Sequence, residues 1–269
     1  FINANTVGGM CTVEHMYPDF ISEKQTGPFT QYINTLDCAE STEHIARHFG
    51  VKPLMATIST ACSSSANALI LGARMIRQGL VRRAICGGCD ALSRFTVNGF
   101  RSLKNTDDQP CRPFDEHRNG LNLGEGAGYV LLEKRSEALQ RGAAIQAVFS
   151  GYCNSNDAYH PTAPSPDGSG ALRTMKNALT MAGLPPEAIG YINTHGTATI
   201  SNDAAEGKAI ESLFPGNILY SSTKPYTGHA LAAAGVIESI FSIWSLQEQI
   251  VYPNLNFRTP MQEMQTTPV

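Results

Sequence analysis

Short β-branched runs that give way within a few residues to longer runs of helical spacing recur from residue 56 to residue 247, and that alternation leaves few folds open. Such strands and helices bury their apolar faces together only by layering helices on a sheet. "ATIST" (56–60), bounded by Pro53, reads as a buried strand. Ala66, Leu69, Ile70, Ala73 and Ile76 then recur at helical spacing up to Gly79, the expected C-terminal stop. "RRAICGG" (82–88), "GYVLLEK" (128–134) and "AAIQAVFSGY" (143–152) read as three further strands. Beyond them the pattern predicts a helix over 170–183, a strand over 189–195 and a helix from Asp203 to Phe214. A strand over 217–222 and a helix from Ala230 to Gln247 follow, so the fold class is α/β.

With 269 residues, 42% of them hydrophobic and 16% charged, the chain can bury a large core and is not a disordered segment. A net charge of -3 gives no polyanion-binding signature, so nucleic acid is not an expected partner. The apolar stretch around Val236 carries Glu238 and Gln247, and no membrane span is expected. No signal peptide is expected from the opening residues. The seven cysteines (11, 38, 62, 86, 89, 111, 153) are odd in number and dispersed, which suits reduced thiols in a cytoplasmic enzyme. The chain begins strand-like at "FINANTVGGM" and stops at "QTTPV" without a closing element, so it reads as a piece of a longer protein lacking both ends.

Cys62, in "TACSSSANAL", falls at a strand-to-helix turn. There the positive end of the helix dipole lowers a thiol's pKa, and backbone N–H groups can hold an oxyanion. The bland alternative is a small buried hydrophobe. "NTHGTAT" puts His195 at the end of an apolar strand, with Gly196 permitting close backbone approach and Thr197 and Thr199 offering hydroxyls. "TKPYTGHALAAAG" puts His229 ahead of an Ala-rich helix, five residues after Lys224. Either histidine alone also fits a structural role, but both lie at expected C-terminal strand ends, where open α/β sheets collect their active sites. The echo between Cys62 and His195, each delivered into a turn before a helix, suggests an internal duplication.

"DAAE" (203–206) fits a capping box with Asp203 as N-cap and Glu206 three residues on, and Glu206 is also a candidate partner for Lys224. Other motifs do not lead to a site. "CGGC" (86–89) has metal-like spacing but no second Cys/His pair. "GEGAG" (124–128) runs into a strand where a phosphate loop needs a helix. His44 and His48 read as surface residues, and with His15, His117 and His160 they form no metal pattern.

"TACSSSANAL", "RPFDEHRNG…GEGAGYVLLE", "SNDAYHPTAPSPDG", "NTHGTAT…ND..E" and "STKPYTGHALAAAG" resemble, in that order, the motifs of the β-ketoacyl-acyl-carrier-protein synthases, from about Val7 to about Asn256. His229, together with "NTHGTAT" and "YTGH", is similar to the elongating, stand-alone type, and Cys62 is present where the family's chain-length factors replace it. Ala198, Ala232 and Asn119 depart from the family's usual Gly or Ser, Gly and Asp.

The resemblance implies a thiolase-like five-layer αβαβα fold of two similar halves, incomplete at both chain ends. Residues 1–145 would form the later part of the first half, with Cys62, and 146–269 most of the second, with His195 and His229. It implies a decarboxylative Claisen condensation. Cys62 takes an acyl group as a thioester, and its amide holds the tetrahedral oxyanion, a contribution of about 3 to 4 kcal/mol for one good donor. His195 and His229 act as neutral donors to the enolate left when malonyl loses carbon dioxide. Lys224 orients the site and balances Glu206, while Thr197, Thr199 and Thr162 bind the phosphopantetheine arm. The implied partners are acyl-carrier protein, docked at Arg101 and Lys104, and a second copy in a homodimer, with neither metal nor cofactor. Two other readings stand beside it: a non-catalytic partner subunit that shapes chain length, and a Cys-His hydrolase.

Overall fold

The computed structural model describes residues 1–23, 31–51, 54–214, 216 and 218–269, which leaves the expected strand boundaries at Pro53 and Asn217 outside the described residues. The chain divides into two compact units. The first holds Phe1–Leu103, Leu123–Ile145 and Ala230–Ile240; the second holds Lys104–Asn122, Gln146–His229 and Phe241–Val269.

The first unit runs β1 (Ile2–Ala4), α1 (Met10–Glu23), α2 (Cys38–His48), β2 (Ala56–Ile58), α3 (Ser64–Arg77), β3 (Arg83–Asp90), α4 (Arg94–Ser102), β4 (Gly126–Glu133) and α5 (Arg135–Gln140). Its sheet has the order β2-β1-β3-β4, with β1 parallel to both neighbours and β4 antiparallel to β3. Strand pleating sends alternate side chains to opposite faces, which sorts them here. Ile2, Ala4, Ala84 and Cys86 meet Ala68, Leu69, Met75 and Ile76 of α3 in one apolar cluster. Gly72 lets α3 approach the sheet, because a Cβ there would overlap the Cys86 sulfur. Burial raises the Cys86 thiol to about 12, so it stays a neutral hydrophobe.

On the opposite face Asn3 donates to Thr42 Oγ1 of α2 at 3.1 Å and accepts from the Tyr129 hydroxyl at 2.8 Å. Cys89 also points to that face and lies 3.8 Å from Asn3 Oδ1. The "CGGC" thiols are therefore on opposite sides of one strand and cannot share an ion. The glycines of "GEGAG" also have a packing role: Cβ atoms at Gly126 and Gly128 would sit 3.1 Å from Ile237 and Ile240. His44 and His48 are exposed on α2.

The second unit contains α6 (Ser169–Ala182), β5 (Tyr191–Asn193), α7 (Ile200–Leu213), β6 (Leu219–Ser221) and the short α8 (Lys224–Thr227). β5 and β6 pair in parallel. Phe114, Ile210, Phe214, Tyr220, Met261 and Met264 form its core, with Phe114 and Tyr220 edge to face at 5.2 Å. A last helix, α9 (Ala234–Glu248), begins in the first unit and ends in the second.

Three sequence expectations need correction. Residues 143–152 make no strand. Their β pattern is real, but a strand needs a neighbour's N–H and C=O groups at ladder spacing, and what lies against Gly151 is α6 at Ala178 and Ala182. The helix expected from Asp203 starts at Ile200, with Thr199 as N-cap. The helix expected from Ala230 starts at Ala234, after a 3-10 turn over Leu231–Ala233. No helix among the described residues is long and apolar enough to cross a membrane.

Candidate active site

Cys62 sits in the first unit between β2 and α3, two residues before the helix begins, and is half-buried. The turn is sharp because Ala61 adopts φ 53°, a left-handed conformation that costs a residue with a Cβ about 1 to 2 kcal/mol. Hydroxyls and amides hold it there. Thr60 N–H donates to Ser64 Oγ at 2.8 Å, the Ser64 hydroxyl donates to Ala61 O at 2.6 Å, and Asn67 Nδ2 donates to Thr60 Oγ1 at 2.9 Å. The three serines of the motif thus divide their work: Ser63 and Ser64 brace the turn, while Ser65 accepts the N–H of Val236 at 2.9 Å. A thiol before the first turn of a 14-residue helix feels the positive end of the macrodipole, which favours the thiolate.

In the second unit β5 delivers His195 into a turn that passes Gly196 at φ 36° and Ala198 at φ 63° before α7. Two carboxylates on adjacent turns of α7 hold that backbone. Glu206 accepts the N–H groups of His195 and Gly196 at 2.7 and 2.8 Å. Asp203 accepts those of Ala198 and Phe114 at 3.2 and 2.8 Å. This replaces the expected capping box: neither carboxylate closes the helix on itself, and both reach back to the histidine turn. The φ of Ala198 is one that glycine, among the usual Gly or Ser, adopts freely.

Lys224 is buried, and its ammonium donates to the His195 carbonyl and lies 3.2 Å from His195 Nδ1. A cation without a lone pair beside Nδ1 makes that nitrogen the acceptor, so the imidazole proton resides on Nε2. Ser222 links the same parts, donating from Oγ to Gly196 O at 2.8 Å and accepting Lys224 N–H at 3.2 Å. His229 is fully buried, and its ring meets that of His195 edge to face at 5.4 Å and 88°. Gly228 at φ 70° turns the chain into His229, and the His229 N–H donates to Asn122 O at 2.8 Å.

Electrostatics keep both rings neutral. Burial first, then the Lys224 charge and His229, hold His195 well below its usual value. Burial and then Lys224 push His229 down to about 3. Neutral, desolvated imidazoles beside a cation are poor proton acceptors but good N–H donors, the property needed to stabilise an oxyanion or enolate. Burial raises Glu206, against its two backbone N–H donors and Lys224, and raises Asp203 to about 6.

The structure thus brings His195, His229, Lys224 and Glu206 together in the second unit, with Thr197 and Thr199 on the same turn sharing a 2.8 Å hydroxyl contact. Thr162 is exposed, and its N–H donates to His160 Nδ1 at 3.1 Å. Arg101 and Lys104 are exposed. Sequence reasoning missed the grip of Asp203 on the turn, the Ser222 link and the Asn122 support. The spacing of Asp203 and Glu206 was the available signal for the first; Ser222 and Asn122 left none.

Two family profiles match the chain, β-ketoacyl synthase N-terminal domain over residues 6–138 and β-ketoacyl synthase C-terminal domain over residues 146–258. The chain belongs to the β-ketoacyl synthase family. It is 41% identical over 211 residues to a 3-oxoacyl-[acyl-carrier-protein] synthase 2 of Synechocystis sp., covering 75% of this chain and 51% of that protein. It is 36% identical over 265 residues to a 3-oxoacyl-[acyl-carrier-protein] synthase 2 of Staphylococcus aureus, covering 94% and 64%. The chain therefore spans about half to two thirds of the length of these relatives. Among solved structures, the ishigamide ketosynthase/chain length factor is similar at a TM-score of 0.91 and 30% identity, over 99% of this chain and 67% of that one. The fold class is the thiolase-like one of the ketosynthases.

Proposed function

We propose that this chain belongs to an elongating condensing enzyme that joins an acyl group held on Cys62 to malonyl-acyl-carrier-protein, giving 3-oxoacyl-acyl-carrier-protein. The observation that carries the proposal is the pair of neutral histidines, rings 5.4 Å apart, with Lys224 fixing the His195 tautomer. A pair of N–H donors that stays uncharged at neutral pH suits an enolate. In the proposed sequence the Cys62 thiolate attacks the acyl thioester and the carrier thiol leaves. The malonyl carboxylate then departs as carbon dioxide, its bonding electrons forming an enolate held by His195 and His229. The enolate carbon attacks the Cys62 thioester, and the thiolate is released. Both substrates arrive on the phosphopantetheine arm of acyl-carrier protein, with Thr197, Thr199 and Thr162 as its contacts and no cofactor required. A homodimer in the cytoplasm is the proposed setting.

The non-catalytic alternative has one point in its favour, since the structural relative is a ketosynthase paired with a chain length factor. Cys62, His195 and His229 argue for the catalytic role. Incubating the full-length protein with radiolabelled acyl-carrier protein separates the readings: a stable thioester on Cys62 supports condensation, no label supports the partner role, and turnover to free acid supports a hydrolase. Arg101 and Lys104 are proposed to dock the acidic carrier. Reversing both charges should raise KM for it several-fold, roughly 1 kcal/mol, and flatten its salt dependence; an unchanged KM removes them from the surface.

A further inference from the structure

Asn122 was not among the residues the sequence singled out, yet both its backbone carbonyl and its side-chain amide are engaged around His229. Its backbone carbonyl accepts the His229 N–H at 2.8 Å. Its side-chain Oδ1 accepts the Cys111 N–H at 2.7 Å, and Nδ2 donates to the carbonyls of Asp107 and Gln109 at 2.9 and 3.0 Å. One amide side chain therefore satisfies three backbone groups of the 107–111 loop, a task normally done by a neighbouring strand. An apolar residue of equal size could do none of it.

The histidine at the other end of this chain of contacts has little regular structure to fix it. His229 follows Gly228 at φ 70° and precedes a 3-10 turn, so the bond to Asn122 O holds its backbone where no helix does. The loop bound by the Asn122 side chain also contains Cys111, whose sulfur is buried and near enough to Lys224 and Asp203 to feel both charges. Cys111 O in turn accepts from Asn256 Nδ2 at 2.8 Å. Loop, histidine and the surroundings of the lysine thus share Asn122 as a common support.

We propose that Asn122 is a positioning residue for His229: it touches no reacting atom, and by pinning the 107–111 loop to its own backbone it sets the place of the imidazole that stabilises the enolate. The proposal rests on the condensing reading for its kinetic consequence and on geometry alone for its structural one. Transfer of an acyl group to Cys62 needs no enolate, whereas carbon dioxide release does. A shift of His229 therefore weakens one half-reaction and spares the other, which a general loss of stability cannot do.

The test uses the full-length protein and Asn122→Leu, with Asn122→Asp as the second variant, since Asp keeps the acceptor for Cys111 N–H and loses both donors. Acylation of Cys62 is followed by intact mass with hexanoyl-acyl-carrier-protein, carbon dioxide release with malonyl-acyl-carrier-protein, and the His229 ring by NMR of 15N-histidine-labelled protein. In Asn122→Leu, carbon dioxide release should fall about tenfold or more while acylation stays within about twofold, and the His229 ring resonances should move. Asn122→Asp should fall between the two. Parallel loss of both half-reactions, or unchanged carbon dioxide release with unmoved His229 resonances, overturns the proposal. A wild type that neither acylates nor releases carbon dioxide sinks the condensing reading instead, and the NMR comparison then decides the role of Asn122 by itself.

Discussion

The turn that carries Cys62 and the turn that carries His195 share a local plan and differ in what holds them. In each, a three-residue strand ends, a non-glycine residue is bent to positive φ (Ala61 in one, Ala198 in the other), and a 14-residue helix follows. The Cys62 turn is braced by the hydroxyls of Thr60, Ser63 and Ser64 and the amide of Asn67. The His195 turn is braced by the carboxylates of Glu206 and Asp203, with Lys224 against the ring. The contrast follows from the charge each side chain must carry. A thiolate is favoured by a helix N-terminus and disfavoured by a nearby carboxylate, so neutral donors and acceptors suit its turn. A histidine that must stay neutral tolerates carboxylates only when a cation offsets them, and Lys224 is that cation.

The largest expected effect tests the division of labour. Cys62→Ala should lower condensation by about 10³-fold or more, yet leave carbon dioxide release from malonyl-acyl-carrier-protein if the histidine turn acts without the thiol. Release measured on the folded variant decides it, and its complete loss would show that the two turns do not work separately.

Removing a brace from the charged turn comes next. Glu206→Ala leaves the His195 and Gly196 N–H groups without their acceptor and Lys224 without one of its counter-charges, so stability should drop by about 2 to 4 kcal/mol. Urea unfolding of wild type and variant measures the difference; a drop below about 1 kcal/mol would mean that water replaces the carboxylate.

A pH comparison separates the two kinds of buried group within the same turn. Burial and then Lys224 push His229 from its usual 6.5 down to about 3 in the fold. His229 by itself therefore costs the native state about 1.4 kcal/mol per pH unit as pH falls below about 6.5, and His195, also held low by burial, adds to the loss. Asp203 has the opposite sign, with about 6 folded against 3.8 unfolded, so the native state takes up its proton first as pH falls and recovers stability between those values. Asp203→Asn removes the recovery, and should steepen the loss between about pH 6 and pH 4 by up to about 1.4 kcal/mol per unit. Equal slopes in unfolding experiments at several pH values would show that Asp203 stays ionised in the fold.

The smallest effect concerns the neutral turn. Ala61→Gly should stabilise by relief of the left-handed strain and destabilise by added chain entropy, leaving a net gain of about 1 kcal/mol or less. A loss of stability would mean that the Ala61 methyl has a packing role beyond its strained backbone.

Much of the site was legible because its parts are local. A thiol or imidazole between a β-branched run and a helical run can be read from spacing, and so could the α/β class and the stop of α3, which ends at Arg77 with Gly79 at φ 74° just beyond it. The strand expected over 143–152 failed for a physical reason of the same kind: a β pattern states that a segment can pair, and the partner is a matter of where other backbone lies. Asp203 shows the limit most clearly. Its place three residues before Glu206 made a capping box the natural local reading, and in the fold its oxygens go to Ala198 and, 89 residues away, to Phe114.

The sequence by itself determined which chemistry the chain can offer, since thiol, imidazole, ammonium and carboxylate are properties of residues and their local spacing. It also determined the family, because five separate motifs keep their order. Only the tertiary structure decided the protonation that makes the chemistry usable. Burial and the Lys224 charge hold His229 near 3, the ammonium at Nδ1 selects the His195 tautomer, and Asn122 fixes the His229 backbone from 107 residues away. Desolvation and Coulomb interaction depend on distance in space, and no periodicity along the chain records that.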